Sequence, residues 1–289
     1  MRWVTVATDE GARACMVDQG EYIDVNAADP LLPSNVRELL ELGSEGILQA
    51  RAALSRGIVR HDPADVRLLA PVPDPRKVIC VGLNYKDHAA ESGVPAPDEP
   101  VLFSKFPSAL IGHGESIVLP AVSKEVDYEA ELVVVIGRRG HHIPRSRAFE
   151  YVGGYAVGHD VSARDWQMNK PGKQWMAGKT FDTFAPVGPE LVTPDEVGDP
   201  HNLGIRLRLN GQTMQDSSTS QLIFRVDVLI EYMSKVFTLE PGDLIFTGTP
   251  PGVGMARKPP VWLKPGDVVE VEIDRVGTLR NPVVAETGV

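Results

Sequence analysis

A chain of 289 residues, 43% hydrophobic and 24% charged, is long enough to bury its own core, and that make-up excludes wholesale disorder. A net charge of −10 with no basic run excludes nucleic acid as a partner. Two cysteines exclude a disulfide framework or a Cys-rich zinc site; Cys15 and Cys80 both lie in apolar stretches and read as packing residues.

The N-terminus, MRWVTVATDEG, meets acidic residues by position 9 and has no signal-peptide core. No apolar run later in the chain is long enough to span a bilayer. The expected compartment is therefore the cytoplasm, away from membranes. Residues 3–8 and 14–25 read as short strands. Ser34 is placed to cap a helix over Asn35–Leu42 with Gly43 as its stop, and Ile47, Ala50 and Leu54 mark a second helix ending near Gly57. A strand at Val66–Ala70 leads into Pro71-Val-Pro-Asp-Pro75, the best linker in the chain. The expected division is a small α+β accessory domain over 1–70 and a catalytic domain over 71–289. After the linker come an apolar strand at Lys77–Leu83 and a polar segment, Asn84–Glu99. Strands follow at Val126–Gly137, Tyr155–His159, Ile205–Asn210, Leu244–Thr247, Val268–Ile273 and Thr278–Val284. Asn210-Gly211 signals a hairpin, and Leu239–Asp243 and Leu263–Asp267 each carry Pro-Gly at the centre of a turn. Only Asp227–Val236 reads as a longer helix in this half. The fold class is mainly β (α+β), with a rolled or closed sheet in the catalytic part.

The stretch Val126-Asp-Tyr-Glu-Ala-Glu-Leu-Val-Val-Val-Ile-Gly137 carries the most chemistry. Alternation along a strand puts Asp127, Glu129 and Glu131 on one face and Tyr128, Ala130, Leu132 and Val134 on the other. Neighbours on that face lie about 6.6 Å apart. Each pair then repels by about 2–3 kcal/mol at an intermediate dielectric. Raised carboxyl pKa values answer that repulsion, and so does a bound cation; a solvated face with salt bridges is the plainer alternative. The second acidic signal, Asp160 in Gly158-His-Asp-Val-Ser-Ala-Arg-Asp165, favours the cation: oxygen ligands without cysteine suit Mg²⁺ or Mn²⁺, with Ca²⁺ as a further option. Helical spacing puts Arg164 and Gln167 near Asp160, a cation and an amide for an anionic carbonyl substrate.

Three further candidates lie elsewhere. His88 and Glu91, at i and i+3, form a general base oriented by a carboxylate if they share a helical turn; an exposed His on a polar helix is the plainer alternative. Gly82, Gly93 and the prolines beyond give that segment the character of a lid. Lys179, after Trp175-Met-Ala-Gly178, is placed to stabilise an oxyanion or enolate. In Thr247-Gly-Thr-Pro-Pro-Gly-Val-Gly254, backbone amides and Thr249 suit a substrate carboxylate, although a plain loop fits the pattern equally well. His141-His142 is assigned no role, Met214–Gln221 reads as a polar turn, and no nucleophile elbow or nucleotide fingerprint is present.

Taken in order, Val81-Gly-Leu-Asn-Tyr-Lys-Asp-His88, Asp127-Tyr-Glu-Ala-Glu131, His159–Asp165, Gly178-Lys-Thr-Phe-Asp182 and Thr247-Gly-Thr-Pro-Pro-Gly252 resemble the fumarylacetoacetate hydrolase superfamily over residues 77–285. Val161–Gln167, Gly172–Trp175 and Lys258–Pro260 look closest to its domain-containing protein 2 branch. The resemblance implies a rolled β catalytic domain, usually in a homodimer, and Mg²⁺ or Mn²⁺ held at Glu129, Glu131 and Asp160. It implies a catalytic His88–Glu91 pair on a lid, Lys179 on the oxyanion side, and Arg164, Gln167 and Thr249 against the substrate. The implied substrate is a small anionic 2-oxo acid with a β-carbonyl, chelated by the metal and reacting through an enolate. Acylpyruvate C–C hydrolysis or oxaloacetate keto–enol tautomerisation is listed first. Oxaloacetate decarboxylation and sugar-acid lyase or dehydratase chemistry follow, with a non-catalytic metal-stabilised binding module as the contrasting class.

Overall fold

The computed structural model describes residues 1–56, 59–93 and 95–287. Its larger sheet has twelve strands. The main path runs Arg60–His61, Glu21–Asp24, Gly11–Asp18, Arg2–Thr8, Ala185–Val192, Val152–His159, Ala130–Ile136, Leu244–Phe246, Val78–Gly82 and Val101–Lys105. Neighbours on this path are antiparallel except Leu244–Phe246 and Val78–Gly82, which run parallel. A five-stranded sheet of Gln212–Ser218, Gly204–Leu209, Val268–Ile273, Gly277–Ala285 and Ile117–Leu119 packs against it. Helices lie at the periphery, so the mainly β, α+β class holds. No described helix is long and apolar enough to cross a membrane.

The apolar run after Glu131 explains its own position. Every residue of Ala130–Ile136 is buried. Leu132, Val134 and Ile136 enter the core between the two sheets. Val133 and Val135 point the other way, into a second core shared with Trp3, Met16, Leu39 and Ala50. A strand covered on both faces needs a continuous apolar sequence rather than alternation. The residues ahead of 71 supply the second cover: Arg2–Thr8 extends the sheet beside Ala185–Val192, and the helices Val36–Glu41 and Gly43–Ala53 lie over it.

Several boundaries differ from the sequence reading for local reasons. Asn35, not Ser34, caps the first of these helices, its side-chain oxygen accepting the Arg37 and Glu38 N–H groups at 2.8 and 3.4 Å. Gly43 joins that helix to the next, with φ +65°. The stop expected near Gly57 lies outside the described residues. Val126–Gly137 is two strands: Val126–Asp127 pairs with Ser162–Ala163, and Ala130–Ile136 pairs with Val152–His159. Tyr128 and Glu129 form the corner between them, and alternation of faces stops there. Met214–Gln221 is largely strand, because Asn210 and Gly211, at φ +52° and +79°, turn Gly204–Leu209 back into Gln212–Ser218. The strands Val101–Lys105 and Ala185–Val192 were not expected. Both Pro-Gly turns form, with Gly242 at φ +83° and Gly266 at +90°. Each following aspartate closes its own turn, Asp243 accepting the Glu240 N–H at 2.8 Å and Asp267 the Lys264 N–H at 2.9 Å.

Phe246 is fully buried between Ala130–Ile136 and Val78–Gly82. Phe246→Ala is expected to lower stability by about 3–5 kcal/mol, read as a lower urea midpoint at unchanged slope. A loss below about 1 kcal/mol would contradict this packing.

Candidate active site

The corner at Tyr128–Glu129 sets the geometry. Beyond it Ala130 pairs with His159, and the Asp160 N–H donates to the Glu129 carbonyl at 3.0 Å, so Asp160 is folded back against Glu129. Glu129, Glu131 and Asp160 are all buried, and each offers an oxygen within 4.8 Å of the others. Asp127 stands apart from this group. Its Oδ1 accepts the Gly254 and Tyr128 N–H groups at 2.6 and 2.8 Å, and its Oδ2 accepts Arg164 Nε at 2.9 Å and the Met255 N–H at 3.1 Å. The three-carboxylate face expected from strand alternation is therefore corrected to Glu129 and Glu131, with Asp160 arriving from the neighbouring strand end.

Three cations meet these carboxylates. Arg164 begins the helix Arg164–Asn169 and donates to Glu129 at 2.6 Å, to Asp127, and to Gln167 Oε1 at 2.9 Å. Arg164 and Gln167 thus share a helix with each other but not with Asp160, which lies ahead of it. Lys179, at the end of Trp175–Lys179, holds Glu129 at 2.7 Å and Asp160 at 2.8 Å. Its ammonium lies 5.3 Å from the centre of the Phe103 ring. Lys105, which the sequence did not single out, is fully buried beneath the site. It pairs with Asp160 at 2.7 Å and donates to the carbonyls of Val161, Phe184 and Lys179.

Burial opposes every one of these charges, and the partners decide which survive. Burial works against the Glu129 charge, but Lys179 and Arg164 outweigh it and hold its carboxyl well below the usual range. Glu131 goes the other way: burial, then Asp160 and Glu129, push it well above. Among the described residues no cation pairs with Glu131, and its carboxylate accepts only the Gly248 N–H, at 2.6 Å. Burial also pushes the neighbouring His159 down to about 3, with Lys105 adding to it, so this histidine is neutral. The cluster thus has an unbalanced buried carboxylate beside two further oxygen donors. Hard oxygen donors with an excess of negative charge fit a divalent cation.

The glycine-rich loop 247–254 joins the remaining candidates to this cluster. Gly248 touches Glu131, and Gly254 touches Asp127. The Gly252 N–H reaches both oxygens of Glu91 at 3.1 Å. Glu91 in turn meets His88 Nδ1 at 3.3 Å on the helix Lys86–Ser92, the pairing expected from the i, i+3 spacing. Gly248 and Gly252 have φ +98° and +101°, and a Cβ on Gly252 would meet the Met214 carbonyl at 2.2 Å. Thr249 is nearly buried, its Oγ1 accepting Gln215 Nε2 at 2.9 Å. All nine site residues named from the sequence therefore lie in one connected network. Lys105 and Gln215 were missed: one ends a short apolar strand, the other sits in a polar stretch read as a turn.

The family model for fumarylacetoacetate (FAA) hydrolase, C-terminal, matches residues 77–284. The chain belongs to the fumarylacetoacetate hydrolase family. It is an enzyme of that family, in the branch the sequence indicated. It is 54% identical over 267 residues to the mitochondrial oxaloacetate tautomerase fahd2 of Xenopus laevis, covering 92% of this chain and 84% of that one. It is 52% identical over 265 residues to the human mitochondrial oxaloacetate tautomerase FAHD2A, with the same coverage. Among solved structures, the fumarylacetoacetate hydrolase of Exiguobacterium antarcticum superimposes with a TM-score of 0.85 at 37% identity, covering 99% of this chain and 100% of that one. These relatives overturn the expected cytoplasmic placement, since both animal enzymes are mitochondrial. The expectation rested on a missing apolar N-terminal core, which bears on export and not on organelles.

No cysteine takes part in this network. Both are buried, and burial pushes the Cys15 thiol up to about 12. At pH 8 a thiol-specific disulfide reagent is expected to leave both unmodified in the native protein and to label both after unfolding. Rapid native labelling would place a thiol at the surface.

Proposed function

We propose that this enzyme interconverts the keto and enol forms of oxaloacetate, using Glu129, Glu131 and Asp160 to hold Mg²⁺ or Mn²⁺. The observation that carries the reading is the docking of the His88–Glu91 pair on the loop that also touches Glu131 and bears Thr249. The identity to oxaloacetate tautomerases of two animals supports the choice of substrate. A bound divalent ion would supply Lewis acidity at the 2-oxo group and acidify the adjacent CH₂.

The chain's own groups do the rest. His88 removes a proton from C3 and returns one there in the reverse direction, while Glu91 orients the ring and stabilises its charged form. The C3–H bond breaks, its electron pair becomes the C2–C3 double bond, and the C2–O π pair moves onto oxygen, which takes a proton from solvent to give the enol while His88 returns the C3 proton to solvent. Lys179 stays charged, because Asp160 and Glu129 outweigh its burial, and so can stabilise negative charge on that oxygen. Arg164 and Gln167 face the distal end of the substrate. The Gln167 oxygen is taken by Arg164, which leaves its amide hydrogens to donate. Thr249 takes the first carboxylate.

Acylpyruvate hydrolysis is the second reading, favoured by the same His–Glu pair, which can instead deprotonate water. We also propose a homodimer, supported by the outer edge of Val101–Lys105, which pairs with no strand among the described residues, and the exposed Phe106 beside it.

His88→Ala is expected to slow oxaloacetate tautomerisation by about 10²–10⁴-fold while changing oxalate affinity by less than about threefold. An unchanged rate would remove His88 as the base. Hydrolysis of acylpyruvates faster than tautomerisation would favour the second reading. Glu131→Gln is expected to weaken Mn²⁺ binding, measured by calorimetry on chelator-treated protein, on the order of tenfold or more. Unaltered Mn²⁺ affinity would dissolve the proposed site.

A further inference from the structure

Gln215 is 2% exposed and lies in the middle of the site network. Its Oε1 accepts the Ala130 N–H at 2.8 Å, and Ala130 lies between Glu129 and Glu131. Its Nε2 donates to the Pro250 carbonyl at 2.7 Å and to Thr249 Oγ1 at 2.9 Å. One amide therefore spans the carboxylate strand and the glycine-rich loop.

The direction of these bonds is not free. A backbone N–H can only donate and a backbone carbonyl can only accept, so Ala130 and Pro250 together fix which end of the amide is oxygen. Both amide hydrogens are then committed, one to Pro250 and one to Thr249. Thr249 Oγ1 must accept toward Gln215, and its own hydrogen is left to be given elsewhere. Among the described residues no acceptor takes that hydrogen. A carboxylate, which only accepts, is the complementary ligand.

We propose that Gln215 is a positioning residue: it presets the Thr249 hydroxyl as a donor to the substrate carboxylate and fixes that donor's distance from Glu129 and Glu131. The inference rests on the carboxylate-binding role given to Thr249 above. A preset hydroxyl loses less orientational freedom on binding than a free rotor. The interaction is made with a group that does not react, so it strengthens ground and transition states alike and appears in KM rather than kcat.

The test is a double-mutant cycle on the full-length protein with Mn²⁺ present. It reads oxalate affinity by calorimetry and KM and kcat for oxaloacetate. Gln215→Met keeps the length and removes every polar contact. Gln215→Asn keeps the amide but is a methylene too short to hold both segments. Thr249→Val removes the hydroxyl. Each Gln215 variant is expected to weaken oxalate and raise KM by about tenfold, with kcat within about threefold. In the Thr249→Val background the same substitutions are expected to add less than about twofold. An equal cost in both backgrounds overturns the proposal, as does a Gln215 variant that binds normally while Thr249→Val does not. If Thr249→Val binds oxalate normally, the role of Thr249 fails first, and the proposal with it. If neither Gln215 variant folds, as judged by circular dichroism, the amide belongs to the fold and the proposal is overturned.

Discussion

Four carboxylates taken out of water at one end of a strand are the constraint around which this enzyme is organised. Asp127, Glu129, Glu131 and Asp160 are all buried, and three cations, Lys105, Arg164 and Lys179, are buried with them. Isolated buried charges are very costly, so such a cluster survives only when nearly every lone pair and proton has a partner. That demand accounts for the detail around it. Lys105 is tied to three carbonyls as well as to Asp160, and Arg164 divides its guanidinium among Asp127, Glu129 and Gln167. Among the described residues Glu131 alone of the four is paired with no cation, and this residual imbalance is what suits the cluster to a divalent ion.

The second organising element is the loop 247–254, whose backbone donors are distributed over three other segments. Its amides reach Glu131, Glu91 and Asp127 in sequence order. Because Glu91 is held by the loop that bears Thr249, the proposed base and the proposed carboxylate-binding hydroxyl are tied to one segment. The glycines permit this: positive φ at Gly248 and Gly252 turns successive N–H groups outward to different partners.

Much of this was legible from residue types and spacing. His88 and Glu91 are one helical turn apart and meet. Glu129 and Glu131 lie two residues apart and share a site. The Pro-Gly pairs specify their turns. What alternation could not show was the corner at Tyr128–Glu129, since a break in a strand leaves no mark when both sides of it are apolar or acidic. Asp127 was therefore grouped with the wrong partners. Lys105 and Gln215 escaped for a related reason. A buried lysine or glutamine looks like a surface one until the segments that satisfy it, 56 and 85 residues away in these two cases, are brought together. The strand Gln212–Ser218 alternates too little to be read as one, because only its middle is covered.

The strand Ala130–Ile136 is hemmed in by a packed core above and below and by paired strands on either side. Nothing at that position can be enlarged or trimmed without disturbing two interiors at once. Divergence in such a scaffold is therefore easier outside this strand, in segments such as the helix Lys86–Ser92, where Lys86, Ala90 and Glu91 are exposed. The strand is fixed on every side, whereas that helix has room to change.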